Sequence, residues 1–258
     1  MNESIEGGET VAWKAEEYDK LEKPHEAWAR QVLGRLELSG DETILDAGCG
    51  TGALTKLLVE LVPNGRVIGT DSSPSMLAQA RETLGEDVEL IESDLTKLEL
   101  ETKVDVVFSN ATFHWVSDHD ALFARMFEAL KPGGRIEAQC GGDGNIAELE
   151  RQLEALSGDE RFAPYLRTDR HAWNYASVGD TVLRLNRSGF ESYNAGLEPW
   201  PVTPADPSGF LRTVILQWHL DRLPNHLHEP FIDTVLENAT RPLTIDYVRL
   251  NISARRPI

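Results

Sequence analysis

Glycine falls at every second position in Asp46-Ala-Gly-Cys-Gly-Thr-Gly52, and few folds accept that spacing. Two large apolar residues, Ile44 and Leu45, run into Asp46. Leu54, Leu57, Leu58, Leu61 and Val62 then follow at helical spacing. The pattern reads as a buried strand, a tight turn and a helix. Gly48, Gly50 and Gly52 lack side chains, so a ligand can touch backbone there. The free N–H groups at the helix start point back at the turn, ready for a carboxylate or phosphate. A tight connection that binds nothing would share these features.

The context narrows the reading. Val67-Ile-Gly-Thr-Asp71 is a second strand ending in an acid, the place where such folds hold the hydroxyls of a ribose. Gly48-x-Gly50-x-x-Ala53 fits the looser form of a dinucleotide site by spacing. Asp46 argues against it, because a carboxylate there would repel a pyrophosphate. An acid at that position suits a ligand with an ammonium group.

Strands and helices alternate from there. Ser73-Pro74 opens a helix, serine as cap and proline at the first position, with Met76 in its first turn and Leu84-Gly85 as its stop. Val88-Glu-Leu-Ile91 is a third strand, followed by Asp94 and Leu95. Val104 to Ser109 is a fourth, ended by Asn110. Ser117-Asp-His-Asp120 resembles a capping box, and Pro132-Gly-Gly134 turns the following helix into a fifth strand, Arg135 to Cys140. Upstream, His25 to Leu38 is an amphipathic helix with Trp28 and Val32 on one face. Alternation through five strands predicts a parallel sheet with helices on both faces.

The stretch resembles the class I methyltransferases that use S-adenosylmethionine. Asp46 to Gly52 is similar to their first motif and Asp71 to their ribose-binding acid. The resemblance continues through Glu92-Ser-Asp-Leu95, Phe108-Ser-Asn-Ala-Thr-Phe-His-Trp-Val116 and Leu130-Lys-Pro-Gly-Gly-Arg135, covering roughly residues 10–145. It implies a Rossmann-like, doubly wound, seven-stranded sheet of order 3-2-1-4-5-7-6 with the last strand antiparallel. The expected cofactor is S-adenosylmethionine, held by Asp46, Gly48, Gly50, Thr51, Gly52, Asp71, Ser72, Met76, Asp94, Leu95, Asn110 and Tyr18. The Phe-Ser-Asn-Ala-x-x-x-Trp-Val pattern with a helical insertion before the last strand is most like the trans-aconitate type, which esterifies a small carboxylic acid. That type often carries Gln where His114 stands, and Lys14, Lys20 and Lys23 stand where an Arg pair would be expected.

After residue 145 the expectations are one helix through Leu149 and Leu153, an aromatic connection over 157–176, and a helix before Gly189. A strand from Tyr193 to Pro201 follows. Helical stretches then cover Phe210–Arg222 and Pro230–Asn238, and a last strand covers Tyr247–Ser253. The chain divides into a cover segment over 1–24, a cofactor-binding core over 25–157 and a helical insertion over 202–243, all within one methyltransferase domain.

The chemistry sits at the carboxyl ends of the strands. His114 leaves the fourth strand at that edge and is the catalytic candidate, as a base, a substrate-orienting group or a partner of the cofactor. Trp13, Trp115, Tyr165, Trp173, Trp218 and His219 are the candidates for the substrate pocket. His119, at a helix start, is expected to face solvent. The expected reaction is methyl transfer to a carboxylate or hydroxyl of a small molecule. The alternative is a non-catalytic cofactor-binding or scaffold protein on the same fold.

Net charge bounds the partners. At −18 over 258 residues, nucleic acid is excluded as an expectation and no basic stripe faces a membrane. No apolar run approaches the ~20 residues that span a bilayer, and the acidic start lacks a signal pattern, so the expected location is the cytoplasm. Two cysteines, Cys49 and Cys140, suggest neither a disulfide framework nor a metal site. Nothing in the chain specifies an oligomeric state.

Overall fold

The computed structural model describes residues 24–166 and 173–258. The cover segment over 1–24, with Trp13 and Tyr18, lies almost wholly outside them.

The sheet has seven strands in the order β3-β2-β1-β4-β5-β7-β6. They are β1 Thr43–Ala47, β2 Arg66–Asp71, β3 Glu89–Glu92, β4 Val104–Asn110, β5 Leu130–Gly141, β6 Glu191–Pro199 and β7 Val248–Arg255. The first five pair in parallel, and β7 runs antiparallel to both β5 and β6. The expected order and the antiparallel last strand are both present.

Each face of the sheet buries its own apolar set. Ile44, Val67, Val106 and Phe108 point to one side, against Val32 of α1 (Pro24–Leu33) and Leu58 of α2 (Ala53–Leu61). Leu45, Ile68, Val107 and Ile136 point to the other. There they pack with Leu122, Phe123 and Met126 of α4 (His119–Ala129) and Leu185 of α7 (Val178–Arg187). This is the period-two signature of strands buried on both faces. Between α2 and α4, α3 (Pro74–Leu84) begins as expected: Ser73 Oγ accepts from Met76 N, and Gly85 ends the helix at φ +71°.

Four local expectations shift. α1 ends at Leu33 rather than Leu38, because Gly34 follows and its N–H closes on Arg30 O. The cap of α4 is Asp118, not Ser117: its carboxylate accepts from Ala121 N at 2.9 Å. The stretch expected as one helix over Phe210–Arg222 is broken into α8 (Pro207–Phe210), a π-turn (Leu211–Ile215) and α9 (Gln217–Leu220). Its signature bond is Leu216 N to Leu211 O at 2.7 Å. α10 runs from Asn225 to Asn238 and takes Pro230 into its interior, so the proline did not mark its start.

α8, the π-turn, α9 and α10 all lie between β6 and β7. Their base is closed by a two-way pairing of Val202 and Ile245, at 2.9 and 2.8 Å. Phe210, Ile215, Phe231 and Val235 form a second core with Trp28, with Leu149 and Leu153 of α5 (Ala147–Leu156), and with Phe162 beside α6 (Ala163–Leu166). This layer covers the carboxyl edge near β5 and β7.

Candidate active site

The glycine turn is tied to β2. Gly48 N and Cys49 N both donate to Thr70 O, at 2.8 and 2.9 Å. Gly48 has φ +85°, and a Cβ there would fall 2.2 Å from the Thr112 side chain. Gly50 differs: a Cβ on it would meet nothing within 4 Å. The backbone at Gly50 therefore borders open space, the place for a ligand to lie against the main chain. Gly52 packs close to Ala80 and starts α2, with Thr51 buried beside it.

The two acids are held differently. Asp71 accepts from Gly50 N through Oδ2 at 3.0 Å and from Ser73 N through Oδ1 at 2.9 Å. Both bonds leave lone pairs for ligand hydroxyls. Burial raises its pKa despite those donors. Asp46 is 2% exposed, and Thr55 Oγ1 donates to it at 2.7 Å. Burial pushes its pKa up to about 7; the Thr55 bond opposes the rise and the nearby Asp71 charge adds to it. A buried carboxylate in that state is stabilised by a cation brought to it. Asn110 ends β4, is buried, and its Oδ1 has no hydrogen-bond partner among the described residues. An orphaned acceptor near a carboxylate that favours a cation fits an ammonium donor.

The remaining cofactor candidates are spread along the same edge. Met76 is buried in the first turn of α3, and Ser72 is exposed just before it. Asp94 is exposed, and its Oδ1 already accepts from Thr96 N and Thr96 Oγ1, both at 2.8 Å, which leaves Oδ2 for a ligand. Leu95 is buried behind it.

A small cleft opens next to this edge. Ala111, His114 and Trp115 come from the turn that follows β4, and Trp173 and Tyr175 from the aromatic connection. Val214 and Ile215 come from the π-turn, and Tyr247 and Arg249 from the last strand. Two lining residues have left-handed backbone, Ala111 at φ +58° and Ile146 at φ +51°. For a β-branched residue that is strained, and strain of this kind clusters at functional sites. Trp173 and Tyr175 stack at 5.7 Å and 13°, forming a flat wall.

His114 is 8% exposed within the 3₁₀ turn Phe113–Trp115. Gly141 N donates to its Nδ1 at 3.2 Å. A backbone N–H only donates, so the lone pair lies on Nδ1 and the neutral ring carries its proton on Nε2.

The structure sorts the pocket candidates. Trp115 and Trp173 line the cleft. His219 stands behind Trp173, with ring centroids 5.7 Å apart, and Trp218 lies next to it under the Arg222 guanidinium at 3.7 Å. Neither lines the cleft. Tyr165 is 40% exposed and stands apart from it. Trp13 and Tyr18 lie outside the described residues. His119 does not face solvent: it is 3% exposed, and its Nε2 lies 2.8 Å from Phe113 O, because α4 packs its first turn onto the 3₁₀ turn. Arg249, Tyr247 and Asn145 line the cleft without having been singled out. The only available hint was a charge within the alternating last strand.

Among the described residues no group of side chains has the makings of a metal site, and no helix is long and apolar enough to cross a membrane.

Comparison with known proteins is consistent across sequence and fold. A family described as "Methyltransferase domain" matches residues 44–134. The chain is 39% identical to a trans-aconitate 2-methyltransferase of Azoarcus sp. over 49% of this chain and 50% of that protein. It is also 39% identical to one from Afipia carboxidovorans, over 67% of this chain and 68% of that protein. The chain spans about half the length of several curated relatives that it matches. The fold is that of the YcgJ protein from Bacillus subtilis, with a TM-score of 0.64 at 16% identity, covering 91% of this chain and all of that one. The chain thus belongs to the class I S-adenosylmethionine-dependent methyltransferases and is similar to their trans-aconitate type.

Proposed function

We propose that this protein transfers a methyl group from S-adenosylmethionine to a carboxylate oxygen of a small acid, giving a methyl ester. The observation that carries it is the junction of two sites at one sheet edge. The glycine turn with its two acids lies on one side, and the aromatic cleft with a buried arginine on the other. The relatives named for trans-aconitate, a carboxylic acid, support the choice of acceptor.

When bound, S-adenosylmethionine supplies a methyl group on a sulfonium, which the acceptor oxygen takes in line while the bonding pair leaves on sulfur. Asp46 and the Asn110 amide oxygen would hold its ammonium. Asp71 would hold the ribose hydroxyls, and Met76, Asp94 and Leu95 would border the base. Gly50, with Thr51 and Gly52, lets main chain approach the ligand, and Ser72 would flank it. His114 would donate from Nε2 to the acceptor, positioning an oxygen that needs no base because a carboxylate is already ionised. Trp115, Trp173 and the π-turn exclude water from that encounter. Residues 202–243 act as the cover that shapes the substrate site.

Calorimetry with S-adenosylhomocysteine, with NAD as the control, tests the cofactor half. Methyl transfer to a panel of acids, followed by ester detection, tests the rest. Micromolar affinity for S-adenosylhomocysteine and none for NAD is the expected result. Binding without transfer to any acid, alcohol or phenol would leave a cofactor-binding protein and overturn the enzymatic reading.

A further inference from the structure

Three hydroxyls hold three consecutive residues at the end of β1. Thr55 Oγ1 donates to the Asp46 carboxylate at 2.7 Å, Ser109 Oγ to Ala47 O at 2.7 Å, and Thr112 Oγ1 to Gly48 O at 3.2 Å. The first two donors are buried within regular elements, α2 and β4. Thr112 is different: it is half-buried and opens the 3₁₀ turn that carries Phe113, His114 and Trp115. A threonine at such a start commonly turns its oxygen onto an N–H of its own turn. No such bond forms here. Oγ1 lies instead 3.2 Å from both Gly48 O and Asn110 O. A hydroxyl has one proton, so the two carbonyls share it.

Shape repeats what the hydrogen bonds say. The Thr112 side chain fills the space that a Cβ on Gly48 would take, so the glycine admits the threonine. Gly48 N donates to Thr70 O on β2 while Gly48 O meets Thr112, and the residue is pinned from both flanks of β1. The far side of the 3₁₀ turn is held by other groups. Asn174 N donates to His114 O at 2.8 Å, and Asn174 Nδ2 donates to Ser117 O at 2.9 Å. The acceptor-side turn is thus clamped against the aromatic connection at one end and joined to the glycine turn through Thr112 at the other. An in-line transfer needs its reacting atoms about 3–3.5 Å apart and aligned. With the donor on one turn and the acceptor against the other, any slip between the turns is an error in that distance.

We infer that Thr112 is a positioning residue that keeps the His114–Trp115 turn in register with the glycine turn, so that a cofactor seated on one fixes the other. It acts through the two turns and not on the reacting atoms. This rests on the methyl-transfer reading above.

The test pairs turnover with a readout that needs none. Thr112→Val keeps the shape and removes the hydroxyl; Thr112→Ser keeps the hydroxyl. The Val variant should lose about tenfold to a hundredfold in kcat, the scale of a small misplacement. Its KM for the acceptor and its S-adenosylhomocysteine affinity should stay within about threefold, and the Ser variant should recover kcat to within about threefold of wild type. Independently, the backbone amide of Asn174, bonded to His114 O, is followed by two-dimensional 1H–15N NMR as S-adenosylhomocysteine is added. Its shift should move in wild type and in Thr112→Ser and stay still in Thr112→Val. Wild-type kcat or a wild-type Asn174 shift in Thr112→Val overturns the inference. So does a loss equal in the Ser and Val variants, or one confined to Tm or cofactor affinity. If no acceptor is methylated by wild type, a hydroxyl-dependent Asn174 shift keeps the coupling of the turns and sinks the enzymatic reading instead. Turnover with no Asn174 shift in wild type does the reverse.

Discussion

The Gly141 amide donates to His114 Nδ1 at 3.2 Å, and that one bond decides what the histidine can do. The other ring nitrogen, Nε2, carries the proton of the neutral ring. His114 therefore offers a hydrogen bond and not a lone pair. His114→Gln, which keeps a donor of similar reach, should retain methyl transfer within about tenfold, the worth of one hydrogen bond. His114→Leu should fall further. A loss of about 10²–10⁴ in the glutamine variant, the range for removing a general base, would refute the donor role. Steady-state kinetics at saturating cofactor makes the comparison.

Asp46 trades stability for binding. Its folded pKa of about 7 exceeds its usual value of 3.8, burial being the main cause. The folded state holds this proton more tightly than the unfolded chain does. Its contribution is thus complete below pH ~4, erodes as pH rises toward 7, and is gone above. Asp46→Asn keeps an acceptor for Thr55 and removes the buried charge. At pH 8 the ligand-free variant should be more stable by on the order of 2–4 kcal/mol, seen as a Tm several degrees higher. S-Adenosylmethionine binding should weaken in the same variant. An unchanged or lower Tm at pH 8 would show that the charge is not buried at a cost.

Asp71 should matter for affinity through both the turn and the ligand. Its oxygens are already bonded to Gly50 N and Ser73 N, so its removal loosens the turn and deletes the hydroxyl acceptor together. Asp71→Ala should weaken S-adenosylmethionine binding by roughly 1.5–3 kcal/mol, the range for hydrogen bonds to a charged group. Calorimetry reads it directly, and equal affinities in two folded proteins would remove Asp71 from the site.

His219 is the opposite case to Asp46. Burial, and then the charge of Arg222, lower its pKa to about 3, and its Nδ1 has no hydrogen-bond partner among the described residues. It is neutral in the fold and charges readily when unfolded. Its contribution is complete above pH ~6.5 and is lost as pH falls toward 3, at about 1.4 kcal/mol per pH unit. His219→Phe should therefore flatten the acid limb of the stability curve over that window. Denaturant titrations in an Asp46→Asn background isolate the effect, since Asp46 acts in the other direction between pH 4 and 7. An acid limb as steep as before would contradict it.

The π-turn offers a way to block the substrate and spare the cofactor. Deleting the insertion would not do this, because Phe210, Ile215 and Phe231 share one core with Trp28 and Leu149. Val214 is only partly buried and lines the cleft. Val214→Phe should fill the space where an acid would lie and lower kcat/KM for it by about tenfold or more, at least ~1.4 kcal/mol. S-Adenosylhomocysteine affinity should stay within about threefold. Unimpaired turnover would place the acceptor elsewhere.

The cofactor side was readable because its chemistry is local. Asp46, Gly48, Gly50 and Gly52 lie within seven consecutive positions, and Asp71 ends the next strand, so chain connectivity alone brings them together. Alternation of strand and helix foretold a parallel sheet with helices on both faces, and its order came from the resemblance to the class I methyltransferases.

The cleft was readable only in part, through Trp115 and Trp173, because its members come from sequence-distant segments. In β7, Arg249, Asn251 and Ser253 alternate with Leu250, Ile252 and Ala254, a pattern that normally means a solvent face. Here α1 lies over that face. Arg35, just beyond it, bonds Asn251 Oδ1 at 2.7 Å and Ala138 O at 3.1 Å, and Trp28 covers Arg249. A polar period of two marks one side of a strand, and tertiary packing decides whether that side meets water. His119 was misread for the same reason: a histidine at a helix start faces solvent unless another turn is packed on it, as Phe113 is. By itself the sequence determined the core strands and the acids of the glycine turn, because these depend on residues close together along the chain. Only the tertiary structure decided that an arginine from the last strand and a histidine from the turn after the fourth line one cavity. That meeting depends on how the helices cover the sheet edge, which no local period encodes.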